Sequence, residues 1–143
     1  MKILLAADGS AYTTRAAVWL VQSVGALAKA PEIHLLHVHA PIPYPGVVRV
    51  IGRKAIRDYQ RDESRKALAV AEKVLRKAKL AHKSTWLVGD IAETVADYVA
   101  RCRIDLVVMG SHGHSPWVGL ALGSVATKLV SRLHAPILVV TPP

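Results

Sequence analysis

The sequence predicts an α/β fold: an open, five-stranded parallel sheet with helices on both faces. Short apolar runs rich in Val, Ile and Leu alternate with longer helical patterns along the chain. Such alternation indicates βαβ crossovers, which cover both faces of a parallel sheet. The chain has 143 residues, of which 52% are hydrophobic and 20% charged, and this size and composition suit one globular domain over residues 1–143.

The predicted strands are continuous apolar runs, as is typical of strands buried on both faces. They are KILLAA, EIHLLHVH, KSTWLV, DLVVMG and PILVVT, at residues 2–7, 32–39, 83–88, 105–110 and 136–141. The helical patterns between them cover residues 10–29, 52–80, 90–102 and 122–133.

Local signals support several of these boundaries. Ser10 is placed to cap the first helix after Gly9 turns the chain, and Asp90 with Glu93 resembles a capping box at the start of the third. The connection at residues 40–52 contains three prolines and two glycines, so we expect an irregular flap there.

The net charge of +9 is concentrated in residues 49–83, which hold twelve Lys and Arg against four acids. The segment also has helical periodicity, with Asp62–Lys66 and Glu72–Arg76 pairs expected at i, i+4. A solvated outer helix face explains this charge, and a surface for an acidic partner is the alternative. Nucleic acid is an unlikely partner, because Tyr59 is the only aromatic residue in the segment and a single ring is too little for base stacking along it. The expected inner face is Ala67, Val70, Ala71, Val74 and Ala78.

Apolar stretches, the first residues and the cysteine content of the sequence indicate where in the cell the protein is located. No stretch reaches the roughly 18 uninterrupted apolar residues of a membrane helix, and the start, MKILLAADGS, meets an acid too early for a secretory signal. Cys102 is the single cysteine, so no internal disulfide can form, which agrees with a reducing compartment. We expect a cytoplasmic protein without a membrane partner.

The segment 107–130, VVMGSHGHSPWVGLALGSVATKLV, passes from a buried strand through four glycines into a helix. Ligands of open parallel sheets bind beyond the carboxyl ends of the strands, and a helix N-terminus attracts phosphate. The glycines therefore indicate either turns or close approach of a ligand to the backbone. The segment fits neither the P-loop pattern GxxxxGK[ST] nor the dinucleotide pattern GxGxxG.

The spacing that is present is Gly110, Gly113 and, after a gap of nine residues, Gly123 with Ser124. It resembles the nucleotide-binding signature of the universal stress protein family, and the resemblance extends over the whole chain. The match includes Asp8 at the end of the first strand, LLHV at 35–38, DLVVMGSHG and the closing PILVV.

The resemblance implies a Rossmann-like sheet in the order 3-2-1-4-5 and a site for ATP, with Mg²⁺ carried on the nucleotide phosphates. It implies that Gly110 and Gly113 shape a loop around ribose and phosphates, and that Gly123 and Ser124 offer backbone N–H and hydroxyl groups to the phosphates. Asp8 and Val38 are expected near the adenosine, together with Ala7. Met109 and Val125 are expected to line the site. The resemblance also implies a homodimer formed through the last strand, residues 136–141.

Seven histidines require a separate interpretation. Alternation places His37 and His39 on one face of the second strand and His34 on the other, but no carboxylate or cysteine cluster accompanies them, so no metal site is predicted. His112 and His114 lie in the glycine-rich segment, where a partly protonated imidazole would favour phosphate. Solvent-exposed loop histidines are an equally good explanation.

No catalytic residue can be assigned. GHSPW misses the GxSxG pattern of serine hydrolases at its last position, and Asp8 lacks the second Asp of an aspartyl phosphatase. We therefore expect a nucleotide-binding regulator or interaction module of the stress response, with at most slow ATP hydrolysis. The alternatives are an ATP-independent interaction protein that uses the basic 49–83 segment, and a slow nucleotide hydrolase. The protein partner is unknown.

Overall fold

The computed structural model describes residues 1–113 and 122–141, and its centre is one parallel sheet of five strands. The strand order is β3-β2-β1-β4-β5, and every neighbouring pair is parallel. The predicted fold class and strand order are therefore confirmed. The strands are β1 Lys2–Ala6, β2 Glu32–His39, β3 His82–Val88, β4 Leu106–Gly110 and β5 Ile137–Val140.

Five helices are described: α1 Ala11–Val24, α2 Pro45–Ile51, α3 Arg53–Lys77, α4 Ile91–Cys102 and α5 Ser124–Arg132. Buried residues of α1 and α3 form one core with the first face of the sheet. Buried residues of α4 and α5 form a second core with the opposite face. Within residues 1–113 and 122–141, no helix combines the length and apolar character needed to cross a membrane.

Side-chain alternation along the central strands supplies both cores. Leu4 and Leu5 of β1, neighbours in sequence, are each 0% exposed and belong to opposite cores. Val107 and Val108 of β4 likewise belong to opposite cores. A strand covered on both faces must be apolar at successive positions, which is why these strands read as continuous apolar runs.

Two predicted caps are present. The Ser10 hydroxyl accepts a hydrogen bond from the Thr13 N–H at 3.3 Å, at the start of α1. The Asp90 carboxylate accepts the Glu93 N–H at 3.0 Å, at the start of α4. Each bond satisfies an N–H that has no partner within its own helix.

The prediction that residues 40–52 are irregular throughout is wrong. Pro45–Ile51 form α2, with Pro45 in the first turn, where a missing N–H costs no helical hydrogen bond. Gly52, at φ 90°, then separates α2 from α3. The prolines and glycine therefore mark the ends of a short helix rather than exclude one.

The buried face of α3 also differs from the predicted one. Ala67 and Ala71 are buried as predicted, but Leu68 and Leu75 complete the apolar face, while Val70 and Ala78 are only half-buried. Among the expected ion pairs, Glu72–Arg76 forms at 2.8 Å. Lys66 pairs with Glu63 at 2.8 Å instead of Asp62.

Candidate functional site

A cavity of about 770 Å³ lies beyond the carboxyl ends of β1, β2 and β4, in front of the N-terminus of α5. We call it the strand-end cavity. All the residues predicted for the nucleotide site lie in its wall, although they come from four separate parts of the chain. These residues are Ala7, Asp8, Val38, Met109, Gly110, His112, Gly113, Gly123, Ser124 and Val125.

The wall also contains residues that the sequence analysis did not assign to the site. Ile91 and Val95 contribute apolar side chains from α4, and Glu63 and Ala67 reach the cavity from α3. Thr13 joins them from α1. No local pattern marks these positions, because each reaches the cavity only through the way its helix packs on the sheet.

Asp8 is held in place by the start of α1. Its Oδ1 accepts hydrogen bonds from the Ser10 N–H at 2.9 Å and from the Thr13 hydroxyl at 2.7 Å. The Asp8 N–H in turn donates to Thr13 Oγ1 at 3.0 Å. These reciprocal bonds fix the orientation of the carboxylate at the cavity wall, with Oδ2 next to Gly113.

The three described glycines of the signature are needed for close packing rather than for a left-handed turn. Among the described glycines, only Gly9 and Gly52 have positive φ. A Cβ at Gly110 would lie 2.5 Å from the Tyr12 Cβ, and one at Gly113 would collide with the Asp8 carboxylate. The turn interpretation therefore fails at these positions, and the atoms that approach the glycines here belong to the protein itself.

Gly123 differs from its predicted role in one respect. Its N–H was expected to face phosphates, but it donates to the Ser111 carbonyl oxygen at 2.7 Å. This bond ties the start of α5 to the end of β4 and directs the helix N-terminus at the cavity. A Cβ at Gly123 would lie 3.1 Å from the same oxygen, which makes the junction tight.

The N-terminus of α5 is the site's main source of positive potential. Gly123 is the N-cap residue and supplies no side-chain hydrogen bond to the helix. The first N–H groups of an α-helix have no partner within the helix and carry part of the helix dipole, so they bind anions. Ser124 and Val125, the first two residues of α5, line the cavity at this point.

Three histidines line the described part of the cavity: His37, His39 and His112. The His37 Nδ1–H donates to the Ala7 carbonyl at 2.7 Å, and the His39 Nδ1–H donates to the Ala40 carbonyl at 2.6 Å. Their ring centroids are 6.4 Å apart, so the two rings share one face of β2 as predicted. His114, Pro116 and Trp117 lie outside the described residues.

His34 lies on the opposite face of β2 and is buried at 5% exposure. Its Nδ1 is 2.8 Å from the Tyr98 hydroxyl, and its Nε2 is 3.0 Å from Glu32 Oε1. Burial raises the pKa of the Tyr98 phenol. Within the described ranges, no three His, Cys, Asp or Glu side chains are grouped so that they could hold a metal ion.

Comparison with known proteins finds relatives that match the chain over most of its length. The model of the universal stress protein family matches residues 1–141. A universal stress protein of Thermus aquaticus is 30% identical over 144 residues, which cover 96% of this chain and 96% of the relative. One of Methanocaldococcus jannaschii is 26% identical over 144 residues, with 99% of this chain and 82% of the relative covered.

Solved structures share the fold at lower identity. A universal stress protein from Lactobacillus plantarum has a TM-score of 0.79 at 20% identity, with 98% and 97% of the two chains covered. One from Arabidopsis thaliana with AMP bound has a TM-score of 0.69 at 17% identity, covering 100% and 92%. One from Archaeoglobus fulgidus in complex with dAMP has a TM-score of 0.67 at 19% identity, covering 97% and 96%.

Proposed function

Because the chain belongs to the universal stress protein family, we propose that it binds an adenine nucleotide in the strand-end cavity and acts as a nucleotide-dependent regulator or interaction module in the stress response. The observation that carries this proposal is the convergence of the residues predicted from the signature on one cavity, in front of a helix N-terminus without a side-chain cap. The AMP and dAMP bound by two structural relatives support the choice of ligand.

The size and lining of the cavity suit a nucleotide. Its volume of about 770 Å³ lies within the range of small-molecule sites. Val38 and Met109, with Ile91 and Val95 from α4, would pack against the base and ribose. The phosphates would lie at the start of α5, where the N–H groups of Ser124 and Val125 and the Ser124 hydroxyl can donate to them.

We further propose ATP as the physiological ligand, bound as its Mg²⁺ complex. Mg²⁺ commonly keeps phosphate oxygens and water as most of its ligands, so it can enter with the nucleotide. The cavity is compatible with this route, since the part of the chain that the structure describes contains no grouped side chains for an independent metal site. The preference for the triphosphate over the monophosphate is measured separately, by comparing ATP with AMP.

Isothermal titration calorimetry with MgATP and AMP tests the proposal directly. Binding of either nucleotide, together with an adenine nucleotide released from the purified and denatured protein and identified by mass spectrometry, is the expected result. Mass spectrometry also distinguishes ATP from AMP as the ligand retained from the cell. The absence of both heat and thermal shift at millimolar MgATP and AMP would disprove nucleotide binding.

The proposed role requires binding rather than rapid turnover. The described lining contains no Arg that could act as an arginine finger, and rapid phosphoryl transfer needs both positioning and charge stabilisation. We therefore expect ADP to form at most slowly from MgATP under multiple turnover. Fast, saturable ADP production that is lost in the Gly123→Val variant would instead favour the hydrolase alternative.

We also propose a homodimer formed through β5. This strand is at the edge of the sheet, beyond β4, and its outer hydrogen-bonding groups are available to a second copy. The Pro136 carbonyl accepts the Val107 N–H of β4, and the Val140 carbonyl accepts the N–H of Ser111, just after β4. By alternation, Val139 therefore directs its N–H and carbonyl away from β4. Pairing of two β5 strands would use these outward groups.

The Val139→Pro variant tests this interface, because it removes an outward N–H without removing a bond to β4. The side chain of Val139 packs against the α4–α5 core, so a Val139→Lys variant would disturb folding as well as strand pairing. We expect a dimer mass by light scattering for the parent and for the Val139→Thr control, and a monomer mass for Val139→Pro. A parent that is monomeric at micromolar concentration excludes the interface.

The stress-response role and the cytoplasmic location are predictions from the sequence, which identifies no protein partner. The basic segment offers a surface for such a partner, since Arg49, Arg53, Lys54 and Arg57 are all exposed. Association with an acidic protein that weakens with salt but persists without nucleotide would favour the ATP-independent alternative.

A further inference from the structure

The described lining of the strand-end cavity contains no Lys or Arg, although the cavity is proposed to hold phosphates. Among lining residues within 1–113 and 122–141, the ionisable side chains are the carboxylates of Asp8 and Glu63 and the imidazoles of His37, His39 and His112. In this described part of the wall, positive charge for a phosphate can therefore come only from histidine.

The remaining charges near the cavity do not change this conclusion. Lys66 lies outside the lining and pairs with Glu63 at 2.8 Å, so it offsets a carboxylate. The helix dipole of α5 supplies the equivalent of about half a positive charge, less than one phosphate carries. Asp8, whose carboxylate lies against Gly113, adds a negative charge on the same side of the cavity as the start of α5.

Among the described histidines, His112 is the one whose backbone contacts the start of α5. A Cβ at Gly123 would lie 3.4 Å from the His112 Cα, and the Gly123 N–H bonds to the preceding residue, Ser111. The backbone of His112 is therefore in contact with the N-cap of the helix that would receive the phosphates.

Two neighbours of His112, Ser111 and Tyr12, accept both its neutral and its protonated form. Its Nδ1 is 3.1 Å from the Ser111 hydroxyl, which can donate to a neutral ring nitrogen or accept from a protonated one. On the side of α1, the Tyr12 ring lies 5.5 Å from the imidazole, a distance at which an aromatic ring also favours a cation. Protonation of His112 therefore requires no rearrangement of these two neighbours.

His37 and His39 are less well placed for phosphate. Their Nδ1–H groups donate to carbonyl oxygens, so a further proton would have to enter at Nε2. His39 faces Tyr59 of α3 at 5.9 Å, and both histidines lie at the end of β2, where the base and ribose are proposed. They would respond to the phosphate charge more weakly than His112.

We infer that the strand-end cavity takes up a proton together with the nucleotide phosphates, mainly on His112, and so selects its ligand by phosphate charge and by pH. This inference rests on the proposed nucleotide function. AMP and metal-free ATP would bind more weakly as pH rises, whereas adenosine, which has no phosphate, would bind independently of pH.

The sign of the effect follows from linkage. A phosphate favours the protonated form of a neighbouring imidazole, whose ordinary pKa is about 6.5. Because the phosphate raises the pKa of such a ring, affinity is higher at pH 6.5 than at pH 8.5. Affinity is greatest when the pH is below the pKa of the imidazole in the free protein, and the gain is lost as pH rises through its pKa in the complex.

Calorimetry with AMP in EDTA, at pH 7.0 in two buffers of different protonation enthalpy, measures proton uptake directly. We expect net uptake with the parent and with the His134→Gln control, since His134 is exposed and outside the cavity. We expect little uptake with His112→Gln, whose side chain keeps a hydrogen-bonding amide but cannot be protonated. The ionisation of AMP itself near pH 6 contributes equally to the proton uptake measured with all three proteins.

Two results would overturn the inference while leaving nucleotide binding intact. One is tight AMP binding with no buffer-dependent heat and equal affinity at pH 6.5 and 8.5. The other is the same pH dependence in the parent and in His112→Gln. If neither AMP, ATP nor adenosine binds, the proposed function fails and this inference fails with it.

Discussion

Replacement of Gly123 by valine separates nucleotide binding from folding at the junction between β4 and α5. The valine Cβ would lie 3.1 Å from the Ser111 carbonyl oxygen, closer than most such contacts, so the junction must shift by a few tenths of an ångström. The φ of Gly123 is −67°, which valine adopts without strain. Valine is also a poor N-cap residue, and together these effects should cost about 1–3 kcal/mol of stability. A domain stability of about 5–15 kcal/mol tolerates this loss.

Binding should suffer more than folding. The valine methyl groups would displace phosphates from the first N–H groups of α5. Loss of one charge-assisted hydrogen bond, at about 1.5–3 kcal/mol, weakens affinity about tenfold or more, and loss of two weakens it about a hundredfold or more. Calorimetry with AMP and MgATP measures the affinity, and circular dichroism with a thermal melt measures the fold.

Gly25→Val is the matched control. Gly25 also lies at a helix end with an ordinary φ of −62°, and no atom lies within 4 Å of its added Cβ. This variant should bind like the parent. Ser124→Ala provides a second test that leaves the junction unchanged and should weaken AMP binding at least tenfold by removing one hydroxyl donor, at about 1.5–3 kcal/mol. A folded Gly123→Val protein with the parent's affinity would refute the phosphate assignment.

Three further predictions concern stability. Ser10→Ala removes the cap that accepts the Thr13 N–H, and it should lower the free energy of unfolding by about 0.5–2 kcal/mol in urea denaturation. Leu35→Ala, at a 0% exposed core position, should cost about 2–5 kcal/mol by the same measurement. At the start of α4, the hydrogen bond from the Glu93 N–H lowers the pKa of Asp90 below its ordinary value of 3.8. This cap therefore stabilises the fold fully above pH 3.8, and its contribution is lost as pH falls through the lowered pKa. Asp90→Asn, which caps without titrating, should therefore melt with less sensitivity to acid than the parent; equal sensitivity would contradict this assignment.

The fold was predictable because its signals are local. Apolar runs mark the strands, and Ser10 and Asp90 mark the starts of two helices, since a cap acts on an N–H only three residues away. The missed helix α2 shows the limit of such signals. Pro45 disfavours a helix interior but suits a first turn, and only the position of the helix distinguishes the two cases.

The sequence predicted ten residues of the cavity wall, but neither the wall residues from α1, α3 and α4 nor the geometry. The spacing of Gly110, Gly113 and Gly123 identified the segment, and the strand ends identified Asp8 and Val38. The contacts that explain the glycines join residues about one hundred positions apart, Tyr12 with Gly110 and Asp8 with Gly113. Sequence periodicity carries no information about such distant pairs, so the glycines suggested only a turn or a ligand.

The sequence by itself determined the order of the five strands, the apolar faces of the central strands and the glycine-rich segment at the cavity, because these depend on neighbours along the chain and on a recognisable motif. The tertiary structure decided which atoms those residues meet. It directed the Gly123 N–H to Ser111 instead of the cavity, and it placed His112 beside the start of α5 in a cavity whose described wall contains no Lys or Arg. Such contacts arise when elements distant in sequence pack on one sheet, and their distances are set by that packing rather than by any local pattern of residues.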